Sequence, residues 1–158
     1  MIFMRQIIIF FVSSILLCNQ AITAQSSKRI NNDSLQVSQK MLSFVNDFNN
    51  LNWEPFRENF AEDITVFLDG DTTTLVQGRK GVEKLFKSLF DAVRSQKKGP
   101  PYLDISPTNI VIQVMSKTVI VTFHSEKGSY ISRRTFVWYK TNMGWLIVHI
   151  HGSARSKD

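Results

Sequence analysis

Two histidines near the C-terminal end of this 158-residue chain have a spacing that could support chemistry. His149 and His151 lie two residues apart in an apolar run, so on a strand they point to the same side and could chelate a metal or act as a general base. A zinc site needs a third protein ligand, and His124 is predicted to lie on the other face. We therefore expect no metal and interpret the pair as structural or interfacial.

His124 and Arg134 are the better candidates for a binding pocket. His124 ends a strand rich in β-branched residues, where an imidazole could bind a ligand or move a proton near neutral pH. A half-buried, hydrogen-bonded histidine is the equally weighted alternative. Arg134 could hold a carboxylate through two guanidinium N–H groups, but it could also pair with Glu126 across a hairpin, which is the interpretation that we favour.

Carboxylates and phenols are the other candidates for acid–base work. Asp63, Asp69 and Asp71 flank one predicted strand, and Asp69-Gly70-Asp71 is typical of an exposed turn. No aspartate and tyrosine stand at a diagnostic spacing, and no apolar cluster surrounds one carboxylate. The residues therefore give no argument for a raised carboxyl pKa, which a buried general base would need.

The elements that must position these side chains begin with helices. A helix is predicted from Asp33 or Ser34, either of which can cap its free amides. Its apolar face consists of residues at three- and four-residue steps, namely Met41, Phe44, Val45, Phe48 and Leu51. A short second helix is predicted to open at Trp53, and Phe56 and Phe60 lie one turn apart there.

After a strand over 63–68, a third amphipathic helix follows Gly78 and ends at the Pro- and Gly-rich stretch 97–101. The pattern then changes to period two, which predicts strands at about 102–106, 109–115, 118–126, 129–140 and 144–152. Because their turns are short, neighbouring strands should be antiparallel. The order predicts an α+β fold in which a strongly curved antiparallel sheet is covered by three helices around a cavity.

The N-terminal stretch 1–24 is predicted to be a secretory signal peptide. Arg5 precedes an apolar segment, and Ala24 is the small residue expected before the cleavage point. The apolar segment is shorter than the roughly 20 residues that span a bilayer, so we expect no stable membrane insertion after cleavage and a secreted or periplasmic protein. Cys18 follows Leu17, which is large for a lipobox, and its lipidation stays open.

The mature chain should then consist of a disordered linker (25–32), one domain (33–153) and a polar tail (154–158). Removal of Cys18 leaves no cysteine for a disulfide, a nucleophile or a metal, and we expect no cofactor. The net charge of +6 is dispersed along the chain. Because no basic face is interleaved with exposed aromatics, we do not expect nucleic-acid binding.

One motif resembles a known family. Thr135-x-Val137-Trp138, a short connection and Trp145-x-x-Val148-His149-x-His151-x-Ser153 are similar to the association (hub) domain of calcium/calmodulin-dependent protein kinase II. That domain is a member of the nuclear transport factor 2-like, or SnoaL-like, superfamily, and the helix and strand order extends the resemblance over about 35–153. The resemblance implies a cystatin-like cone with an internal pocket.

The resemblance also shows where this chain departs from the hub. The aligned positions of three pocket arginines hold His124, Phe136 and Gly152 here, so the anion-binding set of the hub is not carried over. Strand parity and the resemblance together predict a more apolar pocket, and the expected ligand-binding residues are His124, Arg134, Phe136, Ile150, Trp53 and Phe60.

The resulting hypothesis is an exported domain that binds a small, largely apolar molecule and self-associates, and the residues favour binding over catalysis without deciding between them. We also expect at least a homodimer through the outer sheet face, where parity places Val119, Val121, Trp145 and Ile147 beside the histidine pair. The alternatives are an isomerase, dehydratase or hydrolase that uses His124 or an aspartate as base, and a structural assembly module like the hub.

Overall fold

The computed structural model describes residues 2–68 and 75–157, with side chains described from Gln25 onward except that of Lys127. The predicted turn at Asp69-Gly70-Asp71 lies outside the described residues. The helices are α1 (Ile2–Asn50), α2 (Trp53–Arg57) and α3 (Arg79–Gln96). The strands are β1 (Phe60–Phe67), β2 (Val76–Gln77), β3 (Thr108–Met115), β4 (Thr118–Lys127), β5 (Tyr130–Thr141) and β6 (Gly144–Ser156).

These strands form one curved, six-stranded sheet in the order β2-β1-β6-β5-β4-β3. Strands β3 to β6 make an antiparallel meander, as the short turns predicted. Strand β1 instead joins β6 in a parallel pair, since α3 and the meander separate the two strands along the chain. Helices α1 and α3 pack on the inner face of the sheet. The predicted α+β fold is confirmed.

Helix α1 begins well before the predicted start. It runs from Ile2, whereas the sequence placed its beginning at Asp33 or Ser34. All residues over 25–32 are exposed, and Asp33 is the first buried side chain that the structure describes. No helix in the described part of the chain is both long and apolar enough to cross a bilayer. The signal-peptide and linker boundaries stay predictions.

Phenylalanines from three elements build the centre of the core. Phe56 of α2 is fully buried and lies 4.6 Å from the ring of Phe44 on α1 and 5.1 Å from that of Phe86 on α3. Phe60 packs edge-on against Phe56 at 5.1 Å. It does so from the first position of β1, because α2 ends at Arg57 instead of continuing to Phe60.

A β-bulge in β6 changes which side chains face inward. Val137 pairs with His149 and Trp138 pairs with Ile147, so Val148 is the extra residue. Inward positions before the bulge are therefore odd-numbered, and those after it are even-numbered. Parity without a bulge had placed Trp145 and Ile147 on the outer face, and that expectation is wrong because both are buried in the core.

The same correction applies to two strand β4 residues of the expected dimer face. Val119 and Val121 are fully buried, since they pair with Trp138 and Phe136 on the inner face. The four large apolar side chains that were expected to drive assembly thus stabilise the fold instead. The outer face carries a different set of residues, which is described below.

The segment predicted as a strand at 102–106 is irregular. Asn49, at the end of α1, replaces a neighbouring strand as its hydrogen-bonding partner: the Asn49 side chain accepts from Ile105 N at 2.9 Å and donates to Ile105 O at 3.0 Å. The Asn49 carbonyl accepts from the backbone N–H groups of Tyr102 and Leu103. These bonds satisfy the segment's polar backbone without a ladder.

The facing of β6 before the bulge predicts unequal losses of stability on truncation of two adjacent residues. We expect Ile147→Ala to lower the free energy of unfolding by about 2–5 kcal/mol, because it opens a cavity in the core. Leu146→Ala, on the outer face, should cost about 0.5 kcal/mol. Urea unfolding followed by tryptophan fluorescence measures both. Equal effects of the two substitutions would contradict the assigned facing.

Candidate functional site

A cavity of about 260 Å³ lies between the inner sheet face and the two long helices. Its wall is apolar apart from one arginine, and it is lined by Phe44, Val45, Phe48, Leu68, Phe86, Leu89, Ile105, Phe123, Arg134, Phe136 and Ile150. Because helices laid across a curved sheet leave space near its middle, the cavity follows from the fold itself. Ligand pockets of proteins share this combination of an apolar wall and few polar groups.

The sheet side of the cavity is aromatic. Phe123 on β4 and Phe136 on β5 are diagonal neighbours on the inner face, and their rings stack at 5.6 Å with an interplanar angle of 11°. Phe44 of α1 meets Phe136 edge-on at 5.5 Å. Such offset and edge-on pairs hold aromatic rings in defined orientations. The wall is therefore preformed.

The rim is formed by side chains from three separate segments. Leu68 follows β1, Leu89 lies on α3 with 36% of its surface exposed, and Ile105 belongs to the irregular segment that Asn49 ties to α1. The hydrogen bonds of Asn49 thus fix the position of Ile105 beside the cavity. A partly exposed rim gives a small molecule a route to the apolar wall.

Arg134 lies on the cavity face of β5. It pairs with Phe123 across β4 and with Gly152 across β6, so its side chain leaves the sheet on the inner side. The predicted pairing of Arg134 with Glu126 is wrong, because Glu126 points to the outer face and accepts from Lys157 Nζ at 2.6 Å. Lys157, by this bond, holds the pKa of Glu126 below its usual value.

A second hollow of about 500 Å³ adjoins the cavity at Arg134 and Ile105, which line both. Its other lining residues are mostly small or hydroxyl-bearing: Ser125, Gly128, Ser129, Tyr130, Ser132 and Ala154. We call this hollow the hydroxyl cleft. Because the inner face of the sheet becomes polar towards the β4–β5 turn, an apolar cavity and a polar cleft meet at one guanidinium.

Three of the six expected ligand-binding residues, Arg134, Phe136 and Ile150, line the cavity. Ile150 has the inward facing that was expected of it, although the parity used for β6 lacked the bulge. Because the bulge lies before Ile150, residues after it have the facing that was expected of them. Their role in binding stays a prediction.

The other three residues lie elsewhere. His124 is on the outer face, opposite Arg133, because Phe123 and not His124 shares the face of Arg134; the parity assigned to β4 was wrong by one residue. Phe60 is fully buried in the core. Trp53 borders a separate groove between α2 and α3, where Lys87 Nζ lies 5.5 Å from the centre of its ring.

Sequence reasoning did not assign several wall residues to the site, although their patterns carried a signal. The helix residues Phe44 and Phe48 belong to the predicted apolar stripe of α1, and Phe86 belongs to that of α3. Phe123 would follow from correct strand parity. Leu68 and Ile105 lie outside regular elements, and no periodicity could place them.

The histidine pair lies on the outer face beside β1. Thr65 Oγ1 is 2.8 Å from His149 Nδ1, and the ring of Phe67 lies near both imidazoles, at 6.3 Å from His149 and 6.0 Å from His151. Burial and, to a lesser degree, the nearby His151 lower the pKa of His149. Among the side chains that the structure describes, no three metal-binding residues cluster.

With the fold and cavity described, comparison with known proteins defines the family. The sequence model of the SnoaL-like domain matches residues 37–156, which is most of the chain. This chain belongs to the SnoaL-like domain family. The resemblance read from the C-terminal hairpin is thereby confirmed at the level of the superfamily. No curated protein matches the sequence of this SnoaL-like domain.

Solved structures with the same fold are distant in sequence. A nuclear transport factor 2-like protein from Pseudomonas putida KT2440 has a TM-score of 0.66 at 12% identity, covering 78% of this chain and 87% of its own. A protein from Streptomyces avermitilis, proposed to be a dehydratase of that family, has a TM-score of 0.66 at 14% identity over 78% and 97% of the two chains.

A third similar structure bears on the predicted relationship to the hub. A Xanthomonas campestris protein, proposed to be a calcium/calmodulin-dependent protein kinase II association domain, has a TM-score of 0.57 at 17% identity, covering 75% of this SnoaL-like domain and 85% of its own chain. At these identities the similarity shows the fold alone.

Proposed function

We propose that this SnoaL-like domain binds a small, largely apolar molecule in the cavity between its sheet and helices. The observation that carries the proposal is the preformed aromatic wall of Phe44, Phe123 and Phe136 around about 260 Å³ of space. Burial of an apolar molecule against such a wall gains about 25 cal/mol for each Å² removed from water. The cavity is slightly smaller than the usual range for ligand sites, about 300–1,000 Å³, which suits a small molecule.

The cavity also bears on the two alternative functions. A purely structural assembly module would be expected to fill this space with its own side chains, and here the space is open. An acid–base enzyme would need a carboxyl or imidazole group in the wall, and the described lining residues offer neither. His124, which with an aspartate was a candidate base of the enzyme alternative, lies on the outer face, so ligand binding has the better support.

Narrowing the rim should weaken binding. We expect Leu89→Trp to reduce the affinity for a neutral apolar fluorophore such as Nile red by about tenfold or more, because the indole would occupy the rim. Leu42→Trp is the matched control, since Leu42 is an exposed leucine on α1 outside the cavity. Fluorescence titration of both variants, with melting temperatures as a check on folding, makes the comparison. Equal affinities would contradict binding in this cavity.

We further propose a homodimer built on the outer sheet face. Several of its apolar side chains are exposed, with Tyr139 at 41%, Met115 at 51% and Val111 at 53%. Ile120 and Val137 pair with each other on the same face. Several exposed apolar side chains on one sheet face are typical of an interface, and a two-fold dimer is the commonest closed arrangement. This set of residues replaces the buried ones expected from sequence.

A charge placed at the middle of that face should separate the subunits. We expect Val137→Glu to convert a dimer into a monomer at micromolar concentration, because a lone carboxylate buried in an interface is strongly unfavourable. Leu42→Glu introduces the same charge on exposed α1 and should leave the dimer intact. Light scattering measures the mass of each variant. A monomeric wild-type protein would exclude the dimer.

We also propose that the protein is exported and that its mature chain begins at or near Gln25. The basic Arg5, the apolar segment after it and the small Ala24 support this proposal. N-terminal sequencing of protein isolated from its native cells should find Gln25 or a neighbouring residue as the first residue. Intact Met1 on the native protein would contradict export by a cleaved signal.

A further inference from the structure

Arg134 lies where two chemically different hollows meet. On one side is the apolar cavity, and on the other is the hydroxyl cleft, with Ser125, Ser129, Tyr130 and Ser132 among its lining residues. Arg134 lines both hollows with a charged guanidinium, one terminal nitrogen of which donates to the Arg133 carbonyl at 3.4 Å. A ligand that occupies both hollows must therefore pass the guanidinium at the point where its own surface changes from apolar to polar.

From this arrangement we infer that the ligand is an amphipathic anion, with its apolar part in the cavity and its oxyanion head against Arg134 and the hydroxyl cleft. The inference rests on the proposed function, since it names the class of molecule that the same cavity binds. A monocarboxylate with an aliphatic or aromatic tail has this chemistry.

The guanidinium suits an oxyanion head for geometric reasons. Its planar N–H groups can donate two parallel hydrogen bonds to a carboxylate, and such charge-assisted bonds are about twice as strong as neutral ones. The hydroxyl groups of the cleft can donate to the remaining oxygen lone pairs. A head that is held in this way keeps the tail in one orientation against Phe123 and Phe136.

The position of Arg134 is rigid enough to select a ligand. It lies in the middle of the sheet, paired on both sides, with Phe123 on one strand and Gly152 on the other. Ile105, which lines both hollows, is fixed by the hydrogen bonds of Asn49. The strand pairs of Arg134 and the hydrogen bonds to Ile105 thus hold both residues in place before a ligand binds.

Arg133 offers a matched control for any change at Arg134. The two residues are adjacent on β5 and carry the same charge, but Arg133 pairs with His124 and Ser153 on the outer face. Arg133→Gln and Arg134→Gln therefore alter the net charge equally, and only the second changes the cavity. Any general attraction of anions to this basic protein is the same in both variants.

The test compares an acid with an alcohol that has the same tail. Decanoate and 1-decanol compete with Nile red for the purified protein at pH 8, where the carboxylate is ionised. We expect wild-type protein to bind decanoate about tenfold or more tightly than decanol. Arg134→Gln should remove that preference, and Arg133→Gln should retain it. Decyl sulfate and decyl phosphate then show which oxyanion head binds best.

The outcomes separate this inference from the proposed function. If Nile red binds and decanoate and decanol compete equally in the wild type, the inference is overturned and the apolar cavity stands. If Nile red does not bind at all, the proposed function fails. Equal loss of preference in the two arginine variants also overturns the inference. Should Arg134→Gln fail to fold, Arg134→Lys, which keeps the charge, takes its place. The comparison of decanoate with decanol in the wild type still decides whether the inference stands.

Discussion

The extra residue at Val148 is the constraint on which the rest of this structure depends. Before it, Trp145 and Ile147 of β6 fill the core beside α1, and after it Ile150 faces the cavity. A strand without the bulge would direct one of these two sets to the outer face. Because a bulge also bends its strand and increases the twist, the same residue contributes to the sheet curvature that leaves space under the helices.

Helix α1 forms the opposite side of that space, and contacts from Asp33 to Asn49 hold it against the sheet. Beyond the middle of the helix, Lys140 Nζ lies 2.6 Å from the buried carboxylate of Asp33, and Trp145 Nε1 donates to the Gln36 side chain at 3.1 Å. Lys40 Nζ donates to the Trp145 carbonyl, and burial lowers the pKa of Lys40 against the opposing effect of Glu58. At the end of the helix Asn49 holds the segment that carries Ile105. Phe44 and Phe48 lie between these anchors, so the aromatic wall does not depend on a mobile element.

About half of the expected binding site could be read from the sequence, for reasons that differ between residues. Arg134 and Phe136 were placed correctly because alternation along β5 is regular through both positions. His124 was misplaced because β4 was aligned to β5 one residue out of register, and such a slip reverses every side chain on a strand. Ile105 could not be found from any periodicity, because its backbone bonds to a side chain on a distant helix.

The sequence by itself determined the α+β order, the antiparallel meander and membership of the superfamily, because apolar periodicity, Pro and Gly breaks and the tryptophan–histidine hairpin are local patterns. Only the tertiary structure decided which face of β6 is inside, how β1 joins the sheet and where the cavity meets the hydroxyl cleft. The parallel pairing of β1 with β6 and the bonds of Asn49 each join segments far apart along the chain, and the bulge at Val148 breaks the regular alternation of a strand. Local preference cannot specify such pairings, because their energies depend on the packing of the whole domain.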